Sequence, residues 1–242
     1  MFYVCILDTA DISPEIERDF VASRAHLISY EPARRLHIAG ELLWGAMMMS
    51  VCGISAEDVA YTPLGKPYTP SRPDVAFSIT HSGSLAACAL LTLDGDHIEQ
   101  PLSIGVDIQR ADGSGSARDD KSIIRFAKRF YSEAEVAEIL AASDKKSAFY
   151  RIWTMKEALL KYTGEGFSRP LKSADTKSKS FGVKYITREV YDSSGMKYAL
   201  AVCLPSFIDE YPSVYRITPN DGMFYRVQDV KDAIIALKNT CN

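Results

Sequence analysis

Apolar and polar positions along this chain follow two rhythms, one of short alternating or continuous runs and one of helical spacing. The opening MFYVCILD is a short apolar run and predicts a first strand. SPEIERDFVASRAHLIS then takes helical spacing, with Ser13 as cap and Pro14 at the first helical position. A second helix is predicted from about Pro32 to Val51, carrying Leu36, Leu42, Leu43, Trp44, Met47 and Met48. Its Met47-Met48-Met49 run reads as filler for the core. YTPLGKPYTPSRPD is dense in proline and turn formers, which predicts an irregular surface loop. VAFSITHSGSLAACALLTL predicts a hairpin or two adjacent strands broken at His81-Ser82-Gly83. A turn around Asp94-Gly95-Asp96 then leads to the strand SIGVDIQ.

In the second part of the chain, ADGSGSARDDKS is rich in glycine, serine and charge and reads as a mobile lid or binding loop. Helical spacing returns from Lys121 to Leu140, where Ser132 opens a capping-box pattern with Glu135. The helix WTMKEALLKYTG follows and stops at Gly164. FGVKYITREVYD and KYALAVCL are strand-like, with Ser193-Ser194-Gly195 as the hairpin turn between them. The tail from Pro205 to Asn242 holds one amphipathic stretch, VQDVKDAIIALK. No glycine-rich nucleotide fingerprint follows a strand, so a doubly wound sheet is disfavoured. The expectation is an α+β protein of two similar halves, residues 1–104 and 105–242, each with an antiparallel sheet and one long helix.

Composition narrows the function classes. At 242 residues and 47% hydrophobic the chain can bury an ordinary core, and a formal net charge of −3 lacks the basic footprint of a nucleic-acid binder. Cys5, Cys52, Cys88, Cys203 and Cys241 are scattered singly, without metal-ligand or redox spacing, and read as small buried hydrophobes in a reducing cytoplasm. His26, His37, His81 and His97 form no zinc pattern. The N-terminal apolar run is too short for a signal-peptide core, and nothing approaches a membrane-spanning length, so a cytoplasmic protein without a membrane partner is expected.

The candidate chemistry lies in two segments. In IGVDIQ, Asp107 ends a short apolar run, where a buried carboxylate needs a positive partner. In the segment from Phe149 to Gly166, Trp153, Glu157 and Lys161 recur every fourth residue on one helix and share a face. Taken singly, Asp107 could be half of a salt bridge and Glu157–Lys161 an exposed helical ion pair. Together they suit a magnesium ion that holds a phosphate-bearing substrate, because magnesium takes one or two protein carboxylates plus phosphate and water. Gln109, on the same strand face as Asp107, could add a neutral oxygen directly or through water. Lys156 and Lys161 could neutralise charge on a leaving group.

At these residues the chain resembles the larger, Sfp-type 4′-phosphopantetheinyl transferases. The matching motifs are Gly65-Lys66-Pro67, then Ser78-Ile79-Thr80-His81-Ser82, Gly105-Val106-Asp107, Phe130-Tyr131-Ser132 with Glu135, and Trp153 to Lys161. The predicted helix with Arg34, Arg35 and Gly40-Glu41-Leu42-Leu43 also resembles that family's N-terminal half. The resemblance implies a pseudo-twofold α+β monomer with coenzyme A in the cleft between its halves. It implies transfer of the phosphopantetheine arm to a serine of an apo acyl or peptidyl carrier protein, releasing 3′,5′-adenosine bisphosphate. By the same resemblance, Asp107 and Glu157 would hold magnesium, and Glu157 or a water it orients would take the serine proton. Lys161 would steady the pyrophosphate, with Lys156 shaping the site. Lys66 with Pro67, His81 with Ser82, and Arg34 or Arg35 would contact the adenosine 3′-phosphate and neighbouring groups.

One departure stands out. Many relatives carry a second acid where this chain has Gln109, so weaker metal binding and a higher magnesium requirement are expected. Gln109 is also the feature that favours the alternative reading, a catalytically weak relative that still binds coenzyme A or a carrier protein. A magnesium-dependent phosphohydrolase is a third reading, distinguished by phosphate release from coenzyme A without a carrier. The length and two-half organisation favour broad acceptance of carriers in secondary metabolism.

Overall fold

The computed structural model describes residues 1–23, 30–93, 101–112, 119–210 and 212–217. The expectations for Asp94-Gly95-Asp96, His26, His97, Cys241, residues 113–118 of the glycine-rich loop and VQDVKDAIIALK lie outside the described residues. In chain order the elements are β1 (Phe2–Asp8), α1 (Pro14–Ser23), α2 (Glu31–Met47), β2 (Ala60–Tyr61), β3 (Pro67–Tyr68), β4 (Val75–Ser82) and β5 (Leu85–Thr92). They continue with β6 (Gly105–Arg110), α3 (Asp120–Phe130), α4 (Glu133–Ala141), α5 (Lys145–Thr163), β7 (Val183–Tyr191), β8 (Lys197–Pro205) and β9 (Ser213–Arg216). The chain is therefore mixed α+β. None of the described helices is long and apolar enough to cross a membrane.

Contacts divide the chain into two units. One is built from Met1–Ala60, Tyr68–Leu102 and the described residues 212–217; the other from Tyr61–Pro67 and Ser103–Glu210. The turn at Tyr61–Pro67 packs with the second unit and the end of the described chain with the first.

In the first unit the strands are ordered β4-β5-β1-β9. β4 and β5 form the expected hairpin, closing at Ser82↔Leu85 through Gly83, whose φ of 57° suits a two-residue turn. β9 departs from the antiparallel expectation by running parallel to β1, from Tyr3↔Ser213 to Ile6↔Arg216. It comes from the far end of the chain, so no hairpin constrains its direction. Arg216 ties that edge down through Asp8 at 3.2 Å and Asp11 at 3.3 Å. α2 packs Ile38, Leu43, Trp44 and Met47 against Cys5, Leu7, Phe77 and Leu90 of the sheet. Met47 and Met48 are buried as expected of core filler, while Met49 reaches the surface.

In the second unit β6, β8 and β7 form an antiparallel sheet in that order. α5 starts where Asp144 caps Ser147 N–H at 2.9 Å and ends at Gly164, whose φ of 74° permits the left-handed C-cap. It is buried on two sides. Phe149, Tyr150 and Ile152 pack with Ile123, Ala127, Tyr131 and Ile139 of the α3–α4 layer. Met155, Ala158, Leu159 and Leu160 pack with Ala201 and Cys203 of β8.

The contact that sets this packing is made by backbone. A Cβ built on Gly105 would lie 1.9 Å from the Ala158 carbonyl oxygen and 2.6 Å from Tyr162 N. Only a residue without a side chain lets α5 sit directly on the start of β6. Because side chains alternate along a strand, Gly105, Asp107 and Gln109 share the face that meets α5. We expect Gly105→Ala to destabilise the protein by about 3 kcal/mol, because the obstructing atoms are backbone and cannot rotate away; urea unfolding of the two proteins measures this.

Candidate active site

β6 presents Asp107 and α5 presents Glu157 and Lys161 to the same place. Lys161 Nζ donates to Asp107 Oδ1 at 2.8 Å, across 54 residues of sequence. The Asp107 side chain is only 9% exposed and that of Lys161 32%, so this pair is partly withdrawn from water. Glu157 lies one helical turn before Lys161, yet it takes no ion pair among the described residues; its Oε1 is buried without a hydrogen-bond donor. Burial, then the neighbouring Asp107 carboxylate, push its pKa up to about 7 against the smaller opposing pull of Lys161. Gln109 is half-buried, two residues along the face that carries Asp107. Two carboxylates therefore compete for one ammonium, and the site is short of positive charge.

That deficit is the test of whether a divalent cation fits. Among the described residues no cluster of three or more His, Cys, Asp or Glu could hold a metal ion. The donor set is instead two carboxylates with a nearby amide oxygen. That is a hard, all-oxygen set suited to magnesium, which retains waters and substrate oxygens in its remaining positions. The unpartnered Glu157 Oε1 and the raised pKa fit the group.

Lys156 has a different place from the one expected of a phosphate contact. It is fully buried, with its ammonium 2.7 Å from Glu135 Oε2, 2.9 Å from Leu171 O and 2.8 Å from Ala174 O. All three of its donors are thereby used. Glu135 Oε2 also accepts Ser132 N–H at 2.8 Å, closing the capping box of α4, and its Oε1 accepts Thr176 N–H at 2.9 Å and Thr176 Oγ1–H at 2.8 Å. The Lys156–Glu135 pair thus joins α5, the start of α4 and the segment around Leu171–Thr176. Glu135 was legible in the sequence as a cap, but the second half of its work was not, since its partners lie far along the chain.

Lys66 also turns inward. It donates to Ser103 Oγ at 2.5 Å and to Tyr162 O at 2.5 Å, with Ile104 O at 3.5 Å, and burial lowers its pKa to about 8. Pro67 opens β3 beside it.

The remaining expected residues belong to the first unit. Arg34 pairs with Glu17 at 3.1 Å. Arg35 donates to Thr9 O and Ile12 O, each at 2.8 Å, and so ties α2 to the segment after β1. These bonds explain two cations in the first turn of a helix, where the dipole alone disfavours them. His81 is exposed and Ser82 half-exposed at the end of β4. A cavity of ≈ 520 Å³ in the second unit lies elsewhere: Ala111, Ala148, Arg151 and Lys197 line it, and Asp107, Glu157 and Lys161 do not. Of the charges that line it, Arg151 pairs with Glu138 and Lys197 with Glu189, while Arg188 donates to Thr187 O at 2.9 Å.

The chain is similar in sequence to known proteins. The model of the 4′-phosphopantetheinyl transferase superfamily matches residues 103–203, the stretch from just before β6 into β8. A 4′-phosphopantetheinyl transferase of Bacillus subtilis is 30% identical over 195 residues, covering 74% of this chain and 78% of the relative. This chain belongs to that superfamily. The 4′-phosphopantetheinyl transferase Sfp of Bacillus subtilis (strain 168) is 28% identical, over 73% of this chain and 78% of its own. The 4′-phosphopantetheinyl transferase HetI of Nostoc sp. is 28% identical over 166 residues, covering 66% of this chain and 64% of its own.

Two outcomes follow from the charges. Lys156→Met leaves Glu135 buried without its cation, and should cost about 3–5 kcal/mol of stability in urea unfolding. For Glu157 the folded-state pKa of about 7 lies above the ordinary 4.5, so its ionisation opposes folding. Its contribution is fully present below about 4.5 and lost as pH rises through about 7. Glu157→Gln should therefore raise Tm above wild type in metal-free buffer at pH 8, and by much less at pH 5; calorimetry at both values checks the sign.

Proposed function

We infer that this protein transfers the 4′-phosphopantetheine arm of coenzyme A to a serine hydroxyl of an apo acyl or peptidyl carrier protein, releasing 3′,5′-adenosine bisphosphate. The observation that carries this reading is the grouping of Asp107, Glu157 and Lys161, with a carboxyl that titrates about neutrality and an ammonium beside it. Membership of the superfamily supplies the reaction, and the residues supply the parts it needs.

The serine oxygen forms a bond to the pantetheine-bearing phosphorus, and the bond from that phosphorus to the bridging oxygen of the pyrophosphate breaks. The serine proton must leave as the new bond forms. Glu157, or a water it orients, is the acceptor, since its Oε1 has no hydrogen-bond donor among the described residues and it shares the site with Asp107 and Lys161. Lys161 faces the negative charge that grows on the departing bisphosphate, held in place by Asp107. Asp107 and Glu157 would hold magnesium, with Gln109 oxygen as a direct or water-bridged donor, and the ion would supply the positive charge this site lacks for a pyrophosphate. Lys156 supports the site by anchoring α5 through Glu135 rather than by touching phosphate.

The same reading includes the pseudo-twofold arrangement, a monomer working in the cytoplasm, and adenosine-side contacts from His81, Ser82 and Arg34 or Arg35. In support, each unit contains a sheet of mainly antiparallel strands and one long helix, α2 or α5.

Intact-protein mass spectrometry of an apo carrier protein incubated with coenzyme A, magnesium and this protein tests the proposal. A phosphopantetheine-sized mass gain is expected, abolished by a metal chelator and slowed about 100-fold or more by Glu157→Ala. No gain with several carriers, alongside measurable coenzyme A binding, would favour the catalytically weak relative and point to Gln109. Phosphate released from coenzyme A without a carrier would favour the hydrolase.

A further inference from the structure

The Gly65-Lys66-Pro67 segment is a tight turn that aims one side chain. Gly65 N–H donates to Thr62 O at 2.8 Å, Thr62 N–H to Lys66 O at 2.9 Å and Lys66 N–H to Thr62 Oγ1 at 3.0 Å. Gly65 takes a φ of 84°, which only glycine adopts without strain. The turn sends Lys66 to the point where two elements of the site meet.

One of those elements is the last turn of α5. Tyr162 O is among the final carbonyls of the helix, which have no partner within it. It accepts from Lys66 Nζ at 2.5 Å and from Ser103 Oγ at 2.6 Å. A cation there also opposes the negative end of the helix dipole. The lysine stem lies against Gly164, where a Cβ would come within 3.0 Å of Lys66 Cδ. The other element is the entry to β6: Lys66 Nζ meets Ser103 Oγ at 2.5 Å and Ile104 O at 3.5 Å.

These contacts bracket the chemistry closely in sequence. Ile104 precedes Gly105, and Asp107 follows two residues later; Tyr162 follows Lys161 directly. The Lys66 ammonium therefore pins the start of the strand that bears Asp107 to the end of the helix that bears Lys161. Its donors point into the protein, toward Ser103, Ile104 and Tyr162.

We propose that Lys66 is a positioning residue, which sets the last turn of α5 against β6 and so holds Lys161 and Glu157 in register with Asp107. The proposal rests on the transferase reading of that site. It differs from the expectation that Lys66 binds the adenosine 3′-phosphate, and the two predict different kinetics.

The test uses full-length Lys66→Met, with Ser103→Ala as a second, milder variant should the first fail to fold. Amide hydrogen exchange reads the junction without any assumption about activity. The amides of Leu160–Gly164 should exchange about tenfold faster in either variant, while those of α4 keep their rates. Steady-state kinetics are then measured with coenzyme A and with 3′-dephospho-coenzyme A. A positioning role predicts that kcat falls about tenfold with both, with each KM changed less than about twofold. Calorimetry should show coenzyme A affinity kept.

Unchanged exchange at the end of α5 would overturn the proposal. So would a loss confined to coenzyme A, with dephospho-coenzyme A handled as by wild type, because that result makes Lys66 a ligand of the 3′-phosphate. A wild-type protein that modifies no carrier would refute the transferase reading, and the exchange comparison would still decide whether Lys66 holds the junction.

Discussion

The second unit depends on the backbone of α5 lying against Gly105. A Cβ at that position would sit 1.9 Å from the Ala158 carbonyl oxygen, so the helix can come this close only because position 105 has no side chain. Everything polar in the site inherits its position from that approach. Asp107 is the next residue on the same face of β6, and Lys161 lies within the stretch of α5 from Ala158 to Tyr162 that presses on Gly105. A backbone contact is a stiff ruler, since it has no rotamers through which to relax. It brings an ammonium and a carboxylate from separate elements to 2.8 Å.

Holding a helix this tightly requires anchors along its length, and charged groups supply them. Near the middle of α5, Lys156 is buried against Glu135, whose two oxygens also hold the first turn of α4 and Thr176. A buried ion pair is costly to desolvate, and is tolerated here because four donors meet the carboxylate and three acceptors meet the ammonium. At the end of α5, Lys66 and Ser103 cap Tyr162 O. Neighbouring lysines on one helix thus differ in their work: Lys156 binds inward to the fold, and Lys161 faces the carboxylate of the site.

The electrostatics of the site follow from an imbalance. Asp107 holds the ammonium, so Glu157, partly buried and close to a second carboxylate, is pushed to a pKa of about 7. Glu157 Oε1 is thereby left buried without a donor among the described residues. Where a second acid would deepen this imbalance, Gln109 adds an oxygen without a charge.

Much of this protein was determined by local sequence. Apolar spacing marked the strands β1, β4 to β8 and the helix α5, Gly164 marked its end, and the capping box marked the start of α4, because these depend on residues within a few positions of one another. Asp107, Glu157 and Lys161 were legible too, from an acid at the end of a buried run and a repeat of four on a helix. What tertiary structure alone decided was which way each charge faces. Glu135 reads as a cap and Lys156 as a candidate for leaving-group charge, and only the fold shows them buried together as an ion pair. Lys66 lies in a proline-rich loop by sequence, and the folded turn aims it at a carbonyl 96 residues away. The parallel seat of β9 and the bonds of Arg35 are likewise set by segments distant in the chain. Helix and strand are written in neighbouring residues; the partner of a charge is set by the folded chain, and no spacing in the sequence records it.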